Sequence, residues 1–404
     1  MLYGETRETA LAQTRRYEEL GRRFFSLFPA HQALRFFSAP GRAEIGGNHT
    51  DHQSGRVLTA SIHLDTLAAV QPNDQNRVNV FSQGFPASHV DLSDLDAVAG
   101  ESGTAASLVR GCAKKIKDLG FQIGGFDAAI VSDVLPGSGL SSSAALEILF
   151  CAIFDHLHNQ GGMSPIQRAK VGQYAENVYF GKPCGLLDQM GSSFGGLVAI
   201  DFQNSEPSVE TLSFDFLGRG YALAIVNTGK GHGALTGDYA SIPAEMERVA
   251  AFFGCDRLRE VDPRQFHDAI PELYRQVPDR AILRAMHFFD EDARVPQQVE
   301  ALRTDNLPLF LDLINESGQS SMDLLQNIFT KPSEQPLSVA LALSKKLLNG
   351  KGAWRVHGGG FAGTVLSFVP LDLMDRYAAR MNAVFGKNAC AMLTVRPVGA
   401  YEIK

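Results

Sequence analysis

The sequence predicts an α+β fold of two domains, and three observations support this prediction. The chain has 404 residues, which is more than a single hydrophobic core usually holds. Short β-rich segments and longer segments with helical spacing of apolar residues occur in blocks rather than in strict alternation. A polar stretch at residues 203–209 precedes a second half that is mainly helical. We therefore expect an N-terminal domain at residues 1–205 and a C-terminal domain at residues 206–404.

The predicted elements follow from apolar spacing and turn residues. Residues 8–27 are charged with apolar residues at helical spacing, which predicts a leading amphipathic helix. Between residues 36 and 134, β-rich runs such as 77–82 and 126–131 surround one helix at 104–119. The pattern then predicts helices at 141–158 and 165–179 and strands at 196–202 and 221–227. It continues with helices at 243–253, 279–303, 308–325 and 338–348, a β-rich segment at 354–369, a helix at 371–385 and a strand at 390–397.

Composition excludes several classes of protein. The chain is 45% hydrophobic and 20% charged with a net charge of −7, and it has no basic run, so we expect no nucleic-acid partner. No segment approaches the ~18–20 apolar residues of a membrane span, and the first ten residues lack the order of a signal peptide. The five cysteines show no CxxC spacing, which favours neither a disulfide framework nor a zinc site. We expect a cytoplasmic monomer without membrane contact.

The segment at residues 135–150, LPGSGLSSSAALEILF, is typical of a phosphate-binding turn. Glycines leave backbone N–H groups open to a ligand, and the helix that follows adds further N–H donors and the positive end of its dipole. Serine hydroxyls lie within reach of a phosphate or its metal ion. The predicted phosphate-binding residues are Gly137, Ser138, Gly139, Leu140, Ser141, Ser142 and Ser143. The alternative is an ordinary helix with a serine cap.

A second glycine-rich segment, GGGFAGTV at residues 358–365, satisfies the G-x-G-x-x-G pattern, but a lone match is weak. A dinucleotide-binding fold would place it near the start of a βαβ unit. A protein kinase would need HRD and DFG sequences downstream, and the chain contains neither. A GxxxxGK[ST] sequence is also absent, which excludes a P-loop ATPase. Both a tight turn between strands and a direct ligand contact therefore remain open.

Residues 39–55, APGRAEIGGNHTDHQSG, form a third polar motif. His49, Asp51 and His52 could be interpreted as metal ligands, but three ligands within four residues of a loop make a poor metal site. Arg42 follows a Pro-Gly turn, where a lone arginine is most often a solvated surface residue.

In this order and at these distances, the motifs at 39–55, 135–150 and 357–369 resemble those of the GHMP small-molecule kinases. The first motif is most similar to the galactokinase branch, and the resemblance extends from about Tyr17 to the C-terminus. It implies two α+β domains with the active site in the cleft between them. It also implies ATP and Mg²⁺ as cofactors, and phosphorylation of the anomeric (C1) hydroxyl of galactose.

The resemblance assigns roles residue by residue. Residues 175–196, AENVYFGKPCGLLDQMGSSFGG, resemble the galactokinase segment in which a glutamate precedes the catalytic aspartate by twelve positions. Asp188 would accept the proton of the attacking hydroxyl, and Arg42 would keep it ionised. Glu176 would bind magnesium together with Ser142. Residues 227–239, NTGKGHGALTGDY, keep the family spacing through His232 to a sugar-binding tyrosine. The implied substrate-binding residues are Asn48, His49, Asp51, Gly185 and Tyr239.

The chain also departs from galactokinases. Asn48 stands where they carry a glutamate that binds the C6 hydroxyl, and Glu44 replaces an asparagine. His357 replaces a threonine, and its role is open. Loss of a negative charge at position 48 suggests an alternative substrate such as galacturonate, to whose carboxylate an amide could donate. The hypotheses are therefore a galactose 1-kinase, a 1-kinase for galacturonate or N-acetylgalactosamine, or a non-catalytic sensor of galactose and ATP.

Overall fold

The computed structural model describes residues 2–3, 7–28, 33–134, 139–229, 236–361 and 363–403. The strands within these ranges are β1 (Arg35–Gly46), β2 (Arg56–Pro72), β3 (Arg77–Ser82), β4 (Ser88–Asp91), β5 (Phe126–Ser132), β6 (Leu197–Asp201), β7 (Ser208–Leu212), β8 (Tyr221–Asn227), β9 (Ala353–His357), β10 (Thr364–Pro370), β11 (Cys390–Leu393) and β12 (Tyr401–Ile403). The α-helices are α1 (Arg7–Leu27), α2 (Ala105–Asp118), α3 (Ser142–His158), α4 (Pro165–Tyr174), α5 (Leu187–Phe194), α6 (Thr236–Phe252), α7 (Pro263–Leu273), α8 (Asp279–Arg303), α9 (Leu307–Ser320), α10 (Pro336–Leu348) and α11 (Met374–Phe385).

The strands form two sheets. The larger one has the order β12-β1-β2-β5-β3-β4, and β6 pairs with both β2 and β7. Its pairings are antiparallel except for the parallel pair of β3 with β5. The smaller sheet has the order β11-β8-β10-β9 and is antiparallel throughout. Helices and strands are segregated, so the predicted α+β class is confirmed.

The hydrophobic core continues from one sheet to the other. Apolar side chains of β1 and β2, including Ile45 and Leu58, pack in the same cluster as Leu366 of β10 and Ile314 of α9. Burial of this apolar surface holds the two sheets together. The functional motifs of β1 thereby lie beside those that flank β9 and β10.

Buried and half-buried ion pairs also join the two halves of the chain. Arg56 on β2 contacts Asp201 at 2.9 Å and Asp292 of α8 at 2.8 Å. Arg259 contacts the same two carboxylates. Such a network stabilises the fold more than isolated surface ion pairs do, because each charge has several partners.

The predicted domain boundary after residue 205 stays a prediction. The smaller sheet does begin after this point, with β8. However, β7 and β12 follow residue 205 and pair with β6 and β1 of the larger sheet. The chain therefore returns to the first sheet at its end.

Most predicted elements are confirmed within a few residues, and α8 and β8 have the predicted bounds. Two predicted helices end in π-helical turns, Ala175–Phe180 after α4 and Ser321–Leu325 after α9. Helices α5 and α7 and strands β7 and β12 were not predicted. None of the helices in the described ranges is long and apolar enough to cross a membrane.

Candidate active site

The site is built around the turn that enters α3. Gly139 has a φ of +72°, and Ser141 caps the helix in the left-handed region with a φ of 61°. A side chain at position 139 would lie 2.5 Å from Thr364 Oγ1. Glycine is therefore required there for both conformation and space. Gly137 and Ser138, predicted to bind phosphate, lie outside the described residues.

Strand β1 anchors this turn. The backbone N–H of Arg42 donates to the carbonyl of Leu140 at 3.2 Å, and Arg42 Nη1 donates to the carbonyl of Gly139 at 2.6 Å. The first turn of α3 consequently starts beside the Arg42 guanidinium. Its free N–H groups and its positive dipole end make this place favourable for an anion.

Arg42 also holds the carboxylate of Asp188. Its Nε and Nη2 lie 2.7 Å and 2.6 Å from Asp188 Oδ1, and the Ser141 hydroxyl donates to Oδ2 at 2.5 Å. Burial opposes the charge on Asp188, but Arg42, the bond from Ser141 and the charge of Lys182 together set its pKa below the usual range. The carboxylate is therefore ionised at neutral pH, and its side chain is still 31% exposed. Asp188 lies in the first turn of α5, a helix that was not predicted.

The second acidic residue, Glu176, lies in the π-helical turn that follows α4. Glu176 Oε1 accepts from the Ser143 hydroxyl and from Lys182 Nζ, both at 2.9 Å. Its Oε2 accepts from Gln189, the neighbour of Asp188, at 3.0 Å. The hydroxyl that contacts Glu176 is thus that of Ser143, next to the predicted Ser142. π-Helical turns of this kind are frequent at functional sites.

A third carboxyl group, Glu147, lies behind Glu176 and was not predicted. It is fully buried in α3, and Gln189 Nε2 bridges it to Glu176, donating to Glu147 Oε2 at 2.9 Å. Burial, and then the nearby charge of Glu176, raise the pKa of Glu147 well above its usual range. The charged residue within the apolar run AALEILF is the signal that could have pointed to it.

The predicted sugar motif forms the loop between β1 and β2. His49 has a φ of 60°, and its Nε2–H donates to the carbonyl of Gly359 at 3.0 Å. Burial lowers the pKa of His49 to about 3, so the ring is neutral. Asp51 begins a short helical turn, and a side chain at Gly185 would collide with its carboxylate. Asp51 and Gly185 are therefore packed against each other.

Asn48 is fully engaged by the protein. Its Nδ2 donates to Glu44 Oε1 and to the carbonyl of Gly358, both at 2.8 Å. Its Oδ1 accepts from Asn327 at 3.0 Å and from Ser321 at 3.3 Å. Asn48 is also fully buried. The amide therefore has no hydrogen left for a carboxylate on a sugar. A carboxyl group is nevertheless present four residues earlier, at Glu44.

Helix α8 supports this loop from behind. Glu291 Oε1 accepts from the backbone N–H groups of Gly47 and Asn48 at 3.0 Å and 3.2 Å and from Ser317 at 2.6 Å, while Arg294 pairs with Oε2. Burial opposes ionisation of Glu291, but Arg294 and other nearby positive groups lower its pKa to about 2. His287, one turn earlier, donates from Nε2 to the carbonyl of Asn48 at 3.0 Å.

The glycine-rich segment after β9 closes the other side of the site. Tyr239 OH donates to the carbonyl of Gly360 at 2.9 Å, and Gly359 leaves no room for a side chain beside the Tyr239 ring. His357 accepts from the N–H of Glu44 at 3.0 Å and donates from Nδ1 to Thr364 at 3.1 Å. Burial and nearby arginines hold the pKa of His357 well below its usual range. His357 therefore has a structural part as a neutral link between β1 and β10. His232 lies outside the described residues.

Within the described part of the chain, the structure brings several of the predicted residues together. Serines two positions apart in one turn donate to the two acidic side chains, Ser141 to Asp188 and Ser143 to Glu176. In the chain, His49 and Asp51 follow Arg42 in the loop between β1 and β2, and Gly185 precedes Asp188 by three residues. Among the described residues, no group of three or more His, Cys, Asp or Glu side chains is arranged to hold a metal ion by itself. The prediction missed the contacts of Glu44, Glu147, Lys182 and Glu291.

Two family descriptions match the chain. "GHMP kinases N terminal domain" matches residues 107–196, which contain the phosphate turn, Glu176 and Asp188. "Galactokinase galactose-binding signature" matches residues 22–72, which contain Arg42 and the loop between β1 and β2.

Relatives and solved structures agree with these matches. The chain is 33% identical to a galactokinase of Glaesserella parasuis over 350 residues, covering 83% of this chain and 85% of the relative. Its structure is similar to that of Lactococcus lactis galactokinase complexed with galactose, with a TM-score of 0.82, 25% identity and coverage of 96% and 99% of the two chains. Mevalonate kinase of Methanococcus jannaschii shares the fold, with a TM-score of 0.64, 14% identity and coverage of 91% and 99%.

Proposed function

The chain belongs to the galactokinase family of GHMP kinases, and from this premise we propose that it transfers the γ-phosphoryl group of ATP to the C1 hydroxyl of galactose. One observation carries the proposal. A single turn at the start of α3 donates through Ser141 to Asp188 and through Ser143 to Glu176, so that a base and a second carboxylate lie beside one anion-binding turn. Phosphoryl transfer needs mainly such positioning and charge neutralisation.

Asp188 is the proposed general base. The C1 hydroxyl of the sugar gives its proton to the Asp188 carboxylate while its oxygen bonds to the γ-phosphorus of ATP. The bond from that phosphorus to the β,γ-bridging oxygen breaks, and ADP leaves with the electron pair. Arg42 keeps Asp188 ionised before the reaction, and its Nη1 bond to Gly139 fixes the base against the phosphate turn.

The phosphate groups of ATP are proposed to lie on the turn at Gly137, Ser138, Gly139, Leu140, Ser141, Ser142 and Ser143. The described part of this turn presents backbone N–H groups at the positive end of α3. Lys182 is a further cation at this place, because its side chain is 61% exposed and its Nζ contacts Glu176.

The donor set beside this turn fits Mg²⁺. The Glu176 carboxylate and the Ser143 hydroxyl are hard oxygen ligands, and Glu176 Oε1 already attracts a cation, the Lys182 ammonium. We therefore propose that Glu176 and Ser143 hold the ion, with Ser142, the residue predicted from the sequence, next to them. When bound, Mg²⁺ supplies positive charge that offsets the charge of the phosphates.

The sugar is proposed to lie between the loop that carries His49 and Asp51 and the segment that carries Gly185. A carboxylate such as Asp51 can accept from two adjacent hydroxyls, and the absence of a side chain at Gly185 leaves room for this carboxylate. Tyr239 borders the glycine-rich segment on the opposite side. Asn48 is proposed to shape this pocket from behind, because its amide is already satisfied.

Galactose is favoured over a sugar acid. The galacturonate hypothesis required an amide hydrogen of Asn48 for the C6 carboxylate, and both hydrogens are bonded to protein acceptors. A sensor without catalysis would not need the base, and Asp188 is held by Arg42 as an ionised carboxylate.

The test is a coupled assay of ADP formation with galactose, galacturonate, N-acetylgalactosamine and arabinose as acceptors, with the product identified by ³¹P NMR. We expect ADP and a sugar 1-phosphate in equal amounts, with the highest kcat/KM for galactose. A higher kcat/KM for another sugar would reassign the substrate. If none of the four sugars stimulates ADP formation, the kinase proposal is refuted.

A further inference from the structure

Glu44 is a nearly buried carboxylate in the wall of the active site. It follows Arg42 by two positions on β1, and both side chains therefore lie on the same face of the strand. Arg355 Nη2 and Asn48 Nδ2 donate to Glu44 Oε1 at 2.6 Å and 2.8 Å. The Glu44 side chain is 8% exposed, and that of Arg355 is not exposed. One oxygen of Glu44 is thus fully committed to the protein.

The other oxygen, Oε2, has no hydrogen-bond partner among the described residues. Oε2 is not completely shielded from solvent, in contrast to the unpartnered buried polar atoms elsewhere among the described residues. Oε2 therefore keeps some contact with solvent and is able to accept a hydrogen bond. Burial raises the pKa of Glu44, and the positive charges of Arg355 and Arg42 oppose that rise, while Asp51 adds to it. The charges of Arg42, the proposed catalytic arginine, and of Asp51, the proposed sugar-binding aspartate, thus both act on Glu44.

An acceptor without a partner in a nearly closed site is costly unless a ligand or water satisfies it. Asn48, the neighbouring residue of the loop, cannot do so, because its amide hydrogens are both engaged. We propose that Glu44 Oε2 accepts a hydrogen bond from a hydroxyl group of the bound sugar and is a specificity-determining residue. This inference rests on the proposed sugar kinase function.

The consequence is a preference for sugars that carry this hydroxyl. A site built to bond a hydroxyl group discriminates strongly against an analogue that lacks it, because the protein acceptor is then left unpaired. Glu44→Gln keeps the shape, but its carbonyl is needed by Arg355 and Asn48, so its NH₂ group faces the sugar. The variant therefore offers a donor in place of an acceptor.

The experiment measures sugar KM, ATP KM and kcat for wild type and Glu44→Gln with galactose and with its 2-, 3-, 4- and 6-deoxy analogues. We expect Glu44→Gln to raise the KM for galactose roughly tenfold or more and to leave the ATP KM within about twofold. For the one deoxy analogue that lacks the hydroxyl bound by Glu44, we expect the two proteins to differ by less than about twofold, since the interaction is already absent.

Glu245→Gln is the matched control. Glu245 is a largely buried carboxylate, 15% exposed, that pairs with the buried Arg284 at a distance of 3.0 Å. We expect this variant to lose thermal stability without a change in sugar KM. If Glu44→Gln does not fold, Glu44→Asp keeps the charge and withdraws the carboxylate by one methylene, and the same comparison is made with it.

The results separate two failures. If wild type phosphorylates galactose and the Glu44 variants keep its sugar KM, or lose the same factor with every analogue, this inference is wrong and the kinase proposal stands. If wild type phosphorylates none of the sugars, the kinase proposal itself fails, and this inference fails with it.

Discussion

Arg42 donates from Nε and Nη2 to a single oxygen of Asp188, at 2.7 Å and 2.6 Å, while Ser141 donates to the other oxygen. The two residues are 146 positions apart in the chain and meet because α5 packs against β1. Charge-assisted hydrogen bonds of this kind favour the ionised carboxylate. The proposed base is therefore prepared for proton transfer before the substrates bind.

Replacement of Arg42 should move the acid limb of the pH–rate profile. Asp188 has a lowered pKa, so its ionised fraction in wild type falls only at strongly acid pH. Arg42→Gln removes the largest of the groups that lower this pKa, and the pKa must then rise. We expect the acid limb of kcat/KM to shift to higher pH, in addition to a lower rate at neutral pH. Ser141→Ala, which removes only a hydrogen bond, should give a smaller shift. Superimposable limbs in the three proteins would contradict this assignment.

Glu147→Gln should stabilise the protein increasingly as pH rises. In the unfolded chain this carboxyl ionises near its usual pKa, whereas burial and Glu176 raise its pKa in the folded state. The folded state then binds more protons than the unfolded state above that usual pKa, so wild type loses stability as pH increases. An amide cannot ionise in either state and avoids this loss.

The measurement is the melting temperature between pH 5 and pH 8. We expect the difference between Glu147→Gln and wild type to grow in favour of the variant toward pH 8. Glu206→Gln, which changes a carboxylate that is 76% exposed, should follow wild type throughout. A constant or reversed difference for Glu147→Gln would show that Glu147 is charged in the folded protein.

Glu291→Gln should weaken sugar binding without weakening ATP binding. Glu291 accepts hydrogen bonds from two backbone N–H groups of the loop between β1 and β2 and pairs with Arg294, and an amide cannot serve all of these donors. Donors left unsatisfied cost about 1–3 kcal/mol, and a loss of 1.4 kcal/mol is about tenfold in affinity. We expect a rise of roughly tenfold in galactose KM with the ATP KM unchanged.

Glu316→Gln is the control for Glu291, because Glu316 contacts the same Arg294 but is 62% exposed. It should leave both KM values near those of wild type. Equal increases of the sugar and ATP KM values in Glu291→Gln would mean that Glu291 stabilises the fold in general and does not specifically position the loop.

The sequence was sufficient to predict the fold class, because that class depends on local patterns, whereas the roles of the site residues stay predictions. Apolar spacing predicted α8 with its observed bounds, and the Gly-Leu-Ser sequence predicted the turn into α3. Helix α5, which carries Asp188, was not predicted, and it begins only two residues after Gly185. Local patterns identify such boundaries poorly.

The contacts between distant segments could not be predicted from one sequence. Ser142 and Ser143 are equivalent in sequence, and only the direction of the first turn of α3 brings Ser143 to Glu176. From the sequence, the change at position 48 suggested a pocket with less negative charge. The hydrogen bond from Asn48 to Glu44, which brings a carboxyl group to the same place, becomes evident only in the folded chain. The contact of the glycine-rich segment 358–365 with Tyr239 could likewise not be predicted, since the Tyr239 ring comes from the distant helix α6.

The central claim, that Asp188 is the base, is tested most directly by galactose-dependent ADP formation in Asp188→Asn, with ATP and galactose binding measured by calorimetry. The amide is isosteric, keeps an oxygen for Arg42 and can turn its NH₂ group to the Ser141 hydroxyl oxygen, but it cannot accept the proton. We expect kcat to fall by about 10²–10⁴-fold with both affinities nearly unchanged. Loss of a general base lowers kcat by at least about 10²-fold. If Asp188→Asn instead keeps roughly a tenth or more of the wild-type kcat, Asp188 is not the base.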